Sequence, residues 1–86
     1  MRIEVYSTTL CGFCVAAKRL LKSRGLPFEE IDVSHDHEKR AWLVQATGRR
    51  TVPQIYVGDV HVGGYEDLVA LDHAGGLAPL LAGAGG

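Results

Sequence analysis

The sequence predicts an α/β fold with a four-stranded mixed sheet flanked by three to four helices. Three observations carry that expectation. Short β-rich runs recur near the N-terminus, at residues 28–33 and across residues 54–62. Stretches with helical apolar spacing lie between them, and Gly or Pro stands where one pattern gives way to the next.

In the first strand, Ile3 and Val5 alternate with polar neighbours as far as Tyr6. After Ser7, Thr8 and Thr9 come the two cysteines, and then Phe13, Ala16, Ala17, Leu20 and Leu21 fall on one helical stripe. Gly25 stops that helix and Pro27 forbids its continuation. Lys18, Arg19, Lys22 and Arg24 crowd its later turns, where cations complement the dipole. These residues, with Arg49 and Arg50, are expected to be solvated surface. Residues 28–33 form the second strand, with Glu29, Ile31 and Val33 on one side. Ser34 or Asp36 caps a second helix reaching about Thr47, with Gly48 as its stop. Its buried side holds Leu43, Val44 and Thr47, and Trp42 lies beside it, partly exposed.

Two short runs joined by Gly58 and Asp59 spell a hairpin. Gly63 and Gly64 open a third helix carrying Leu68 and Leu71, and Gly75 and Gly76 close it. Residues 77–82 make a last short helix with Pro79 in its first turn. One domain is therefore expected over residues 1–82, with a frayed tail at 83–86. The first two strands pair in parallel through a right-handed crossover, and the hairpin adds antiparallel strands. Cys11 then falls at the C-terminal end of the first strand, where ligand sites of open α/β sheets form.

Composition narrows the function classes. Hydrophobic residues at 47% and charged residues at 22% describe an ordinary globular chain. A net charge of −1 points to neither nucleic acid nor a membrane surface as partner. No apolar run is long enough to span a bilayer, and the first residues lack a signal-peptide layout. The expected location is the cytoplasm, where thiols are kept reduced.

In that setting Cys11-Gly12-Phe13-Cys14 closes too small a loop to staple a fold, so a reactive or metal-binding pair is the better reading. A thiol attacks as its thiolate, and a helix N-terminus favours that anion through free N–H groups and the dipole. Cys11 is therefore the expected nucleophile and Cys14, one turn further in, the resolving thiol. Half of a zinc site is the competing reading, but no second cysteine pair exists. His35, His37, His61 and His73 are scattered and read as ordinary surface or turn histidines. Pro53 leaves two alternatives: a cis bond after Val52, or a trans proline opening an edge strand.

Three segments, in order, resemble the glutaredoxin family over nearly the whole chain. They are Cys11-Gly12-Phe13-Cys14, Thr51-Val52-Pro53-Gln54 and Gly63-Gly64-Tyr65-Glu66-Asp67-Leu68. The tail, with Leu71-Asp72 and Gly76-Leu77-Ala78-Pro79-Leu80-Leu81, is similar to the bacterial branch. The likeness to thioredoxin itself is poorer, because Leu10 precedes the pair and Phe13 stands where its proline is usual. The glutaredoxin resemblance implies a thioredoxin-like fold, a cis bond before Pro53 and catalysis by Cys11 and Cys14. It also implies a glutathione groove formed by Phe13, Arg49, Thr51, Val52, Pro53, Gly64, Glu66 and Asp67. There the Val52 main chain pairs with the glutathione cysteine, and the helix start at Glu66 and Asp67 receives the γ-glutamyl end. The chain departs from the common family pattern at Gly12-Phe13, where Pro-Tyr is frequent, and at Thr8, where a lysine is usual. It departs again at Tyr65, where an extra cysteine is often found. Arg49 is the candidate for the missing positive charge.

The implied activity is glutathione-dependent reduction of protein–glutathione mixed disulfides and of protein disulfides by a monomer, with glutathione as co-substrate and no tightly bound cofactor. Two alternatives stand beside it. One is a dimer holding a [2Fe–2S] cluster through Cys11 and glutathione; the other is a dedicated dithiol donor to a reductase or peroxidase.

Overall fold

The computed structural model describes residues 2–82, so the tail expected at 83–86 lies outside the described residues. The chain runs β1 (Ile3–Ser7), α1 (Gly12–Ser23), β2 (Glu29–Asp32), α2 (His37–Thr47), β3 (Gln54–Val57), β4 (Val60–Gly63), α3 (Tyr65–His73) and α4 (Leu77–Leu81). The strands form one mixed sheet in the order β2-β1-β3-β4. β1 pairs with β2 in parallel, Val5 opposite Glu30, and with β3 antiparallel, Val5 opposite Ile55. A proline at the start of β3 therefore opens an interior strand rather than an edge, and the Val52–Pro53 bond is cis.

Alternation along β1 and β3 divides the core between the two faces of the sheet. Ile3, Val5, Ile55 and Val57 face Ala17 and Leu21 of α1, Leu68 of α3 and Leu77 of α4. Tyr6 on the other face packs with Val33 and Leu43 of α2, flanked by Ile31, Val52 and Tyr56. Two helical layers thus enclose the sheet. The stripe that α1 buries is Cys14, Ala17 and Leu21, at helical spacings of three and four residues. Phe13, expected on the buried stripe, is instead 61% exposed, because it sits one position round the helix from Cys14.

Helix ends follow local chemistry. Asp36, not Ser34, caps α2 by accepting the Lys39 N–H at 2.9 Å. Gly48 ends the same helix in the left-handed conformation, φ 70°, and donates to the Val44 carbonyl at 2.8 Å. Within the hairpin, Tyr56 opposes His61 while Ile55 opposes Gly63, so β4 carries one extra residue. That bulge delivers Gly63 and Gly64 to the start of α3.

Candidate active site

The site is assembled from the ends of three elements. The loop leaving β1 is tied to the loop after β2: the Thr9 N–H donates to Ser34 Oγ at 2.7 Å, and the two hydroxyls lie 2.8 Å apart. Leu10 then turns the chain into α1 with φ 57°, a conformation that costs a leucine about 1–2 kcal/mol, and its side chain is wholly exposed. Such strain is kept only where the surroundings hold it, and here it sets the direction of the next residue.

That residue is Cys11, the N-cap of α1. The Cys14 N–H donates to Cys11 Sγ at 3.1 Å, and the sulfurs of Cys11 and Cys14 are joined across the first turn. A sulfur at this position does what a capping oxygen does elsewhere, satisfying one orphan amide at the positive end of the helix. No acidic residue stands in the first turn to oppose negative charge there. Cys14 is buried, at 1% exposed, whereas Cys11 is partly open. The pair is therefore asymmetric: an outside sulfur can reach Cys11, and Cys14 is reachable from Cys11.

Opposite the cysteines stands the turn before β3. Cys11 Sγ lies 3.7 Å from the Val52 carbonyl oxygen. Gln54 is fully buried; its carboxamide nitrogen lies 2.9 Å from the Thr51 carbonyl and its oxygen 2.7 Å from His61 Nε2. His61 is thus half-buried and hydrogen-bonded, not the plain surface or turn histidine expected from its scatter in the chain. Its pKa is lowered, first by burial and then by the Arg49 charge, with Asp67 acting the other way.

The third wall is the start of α3. Asp67 accepts the Gly64 N–H at 2.9 Å and the Arg49 guanidinium at 2.7 Å. Arg49 first, then the Gly64 amide, hold the Asp67 carboxyl below its ordinary range. Arg49 is brought there by the end of α2, where Thr47 Oγ1 accepts the Arg49 N–H at 3.1 Å and donates to the Leu43 carbonyl at 2.8 Å.

Between these walls runs a groove of about 270 Å³. All eight residues expected to bind glutathione line it: Phe13, Arg49, Thr51, Val52, Pro53, Gly64, Glu66 and Asp67. Tyr65 lines it as well and stacks on Phe13, ring centroids 6.0 Å apart at 30°. Neither motif nor resemblance points to Tyr65, Gln54 or His61 as part of this site. For Tyr65 the aromatic at a helix start was a signal; for the other two only contact across the hairpin reveals the role. Among the described residues, no three His, Cys, Asp or Glu side chains gather as a metal site requires.

The glutaredoxin family model matches residues 3–62. The chain belongs to the glutaredoxin family. It is 44% identical to glutaredoxin 3 of Escherichia coli over 79 residues, which are 92% of this chain and 95% of that one. Among solved structures it superposes on a buckwheat glutaredoxin–glutathione complex with a TM-score of 0.87 at 32% identity, covering 96% of this chain and 78% of the other. A glutaredoxin from Brucella melitensis aligns with a TM-score of 0.85 at 44% identity, over 94% and 88% of the two chains. The mixed sheet and its four helices are accordingly the thioredoxin-like fold of glutaredoxins. As a glutaredoxin, the protein is a thiol–disulfide oxidoreductase, and Cys11 and Cys14 are its redox-active pair.

Proposed function

We propose that this glutaredoxin reduces protein–glutathione mixed disulfides, and protein disulfides by a dithiol route, with glutathione as the electron donor. The observation that carries the proposal is the groove beside Cys11, whose Val52 wall lies with its carbonyl oxygen 3.7 Å from Cys11 Sγ. It offers a main-chain edge at Val52, a cation at Arg49 and a helix N-terminus at Gly64 to Asp67. A tripeptide with two carboxylates and one ammonium needs those three features. The glutathione complex of the buckwheat relative supports the same ligand.

In the reaction, the Cys11 thiolate attacks the glutathione sulfur of the mixed disulfide, and the protein leaves as a thiolate that takes up a proton. Cys11 is then glutathionylated. A second glutathione, as thiolate, attacks the sulfur of that glutathionyl group, releasing glutathione disulfide and restoring Cys11. For a protein disulfide, Cys11 forms the mixed disulfide with the target. Cys14 then attacks Cys11 and releases the reduced protein, leaving the two joined as they stand here. Glutaredoxin couples lie at roughly −200 to −230 mV, near enough to the cellular glutathione poise for exchange in either direction. Arg49 receives a carboxylate of glutathione in place of the lysine that Thr8 replaces. The free amides at the start of α3 receive the γ-glutamyl carboxylate, and Asp67 faces its ammonium. Phe13 and Tyr65, stacked on one another, give the groove an apolar wall. We place this activity in the cytosol, on a monomer serving glutathionylated or disulfide-containing proteins.

The test is reduction of a small glutathione mixed disulfide, coupled to glutathione reductase and NADPH. Wild type and Cys14→Ser both turn over, Cys11→Ser is inactive, and Cys14→Ser loses reduction of protein disulfides. Absence of glutathione-dependent turnover in the wild type refutes the proposal.

A further inference from the structure

We propose that Gln54 and His61 are positioning residues that fix the direction of the Val52 N–H, the main-chain donor through which the groove holds glutathione. The inference rests on the function proposed above and adds two residues that do not themselves touch the ligand.

Gln54 is a polar side chain with no exposed surface, at the first position of β3. Among the described residues no buried side-chain nitrogen or oxygen lacks a hydrogen-bond partner, and the partners of Gln54 settle how its carboxamide is turned. A carbonyl can only accept, so the group facing the Thr51 oxygen at 2.9 Å is the amide NH2. The amide oxygen therefore faces His61 Nε2 at 2.7 Å, and that nitrogen carries a proton. The chain of donors runs from His61 Nε2–H to the Gln54 oxygen, and from the Gln54 NH2 to the Thr51 carbonyl. Turning the carboxamide over would set oxygen against oxygen at Thr51, so the order runs one way only.

The consequence lies in the next peptide group. Thr51 C=O and Val52 N–H belong to one planar peptide unit, which is trans, since among the described residues the cis bond is the one after Val52. In a trans peptide the C=O and N–H point in opposite directions. Holding the Thr51 oxygen inward on the buried Gln54 amide therefore turns the Val52 N–H outward, away from the core. Val52 lines the groove, and its own carbonyl faces Cys11 Sγ at 3.7 Å. Pro53 has no N–H, so Val52 carries the last main-chain donor before β3. One buried carboxamide thus sets the donor for the ligand, and a histidine on the neighbouring strand sets the carboxamide.

The experiment measures the direction of the Val52 N–H by residual dipolar couplings in the glutathione-free protein, for wild type, Gln54→Met, His61→Phe and His61→Gln. It pairs these couplings with steady-state kinetics on the small glutathione mixed disulfide. Gln54→Met is expected to change the Val52 coupling while those of Ile55 to Val57 stay in place. KM should rise roughly tenfold, the worth of one well-placed hydrogen bond, with kcat within about threefold. Reduction of the Cys11–Cys14 disulfide by dithiothreitol, which needs no groove, should be unchanged. His61→Phe removes the donor with less disturbance of the core and should raise KM about threefold, whereas His61→Gln keeps a donor and should stay near wild type. An unchanged Val52 coupling in both Gln54→Met and His61→Phe overturns the inference, as does a changed coupling with an unchanged KM. A wild type that ignores glutathione, combined with a Val52 coupling that still depends on Gln54, leaves the orientation standing and removes the functional reading instead.

Discussion

Gly63 and Gly64 are neighbours in the chain, yet replacing each with alanine should have very different consequences. A Cβ on Gly63 would lie 2.4 Å from Asp67 Oδ2, 2.7 Å from its Cγ and 2.9 Å from its Cβ, and the residue has φ +120°. Neither the space nor the backbone admits a methyl group. At Gly64 the added Cβ would meet the Pro53 carbonyl at 3.6 Å and Asp67 Oδ2 at 3.8 Å, which is ordinary contact, and φ is −87°. Gly63→Ala therefore costs about 1–3 kcal/mol of backbone strain. Displacing Asp67 also breaks its hydrogen bond to the Gly64 N–H, a capping loss of roughly 1 kcal/mol. The total of about 2–4 kcal/mol lowers Tm by roughly 10–30 °C in a domain of this size. Gly64→Ala changes only the identity of the N-cap and should cost about 1 kcal/mol or less. The entropy lost from the unfolded chain is common to both and cancels in the comparison. Thermal or urea unfolding of the two variants side by side is the assay. Equal losses, or a larger loss at Gly64, would refute the reasoning that Gly63 exists to let Asp67 approach.

Two further outcomes follow from the charges around Asp67. Arg49→Gln should change stability by less than about 1 kcal/mol, because both partners are substantially exposed. It should nevertheless raise the Asp67 titration midpoint, followed by NMR, because the Arg49 contact is the largest cause holding that carboxyl down; a midpoint that stays put contradicts the pairing. His61 has its folded-state pKa lowered below the ordinary 6.5, so the unfolded chain takes up the proton first. The stability tied to this residue is fully present above about 6.5 and is lost as pH falls through the lower folded value. Urea midpoints measured from pH 8 to pH 5 should show that decline in wild type and a flatter limb in His61→Gln. An equal slope in the two proteins would mean that His61 does not titrate differently on folding.

Much of the fold was legible because its signals are local. The Gly58–Asp59 turn, the Gly48 stop and the helical stripe of α1 each arise from residues within a turn or two of one another, whereas the choice of Asp36 over Ser34 as the cap of α2 came with the structure. Phe13 shows where such reading slips. The periodic pattern puts it on the apolar stripe, and only the packed helix shows it exposed and stacked on Tyr65. The three motifs of the resemblance hold every expected groove residue except Arg49, and the structure brings those segments together along one cleft, with Arg49 and the unexpected Tyr65 in its lining. Gln54 stands in the sequence only as the end of the Thr51-Val52-Pro53-Gln54 motif and His61 only as one of four scattered histidines, because the hydrogen bond that joins them forms across the packed hairpin.

By itself the sequence determined the order of elements, the glycine stops of the helices, the cysteine pair at a helix start and the family to which the chain belongs. These depend on backbone preferences, side-chain period and short motifs, all of which act between near neighbours. Only the tertiary structure decided that the Val52 carbonyl faces Cys11 across 41 residues of chain, and that Arg49 reaches Asp67 across 18. It alone decided that a buried amide at Gln54 is wedged between Thr51 and His61. Those contacts depend on how the sheet and helices pack, and distances between packed elements are not written in the spacing of residues along the chain.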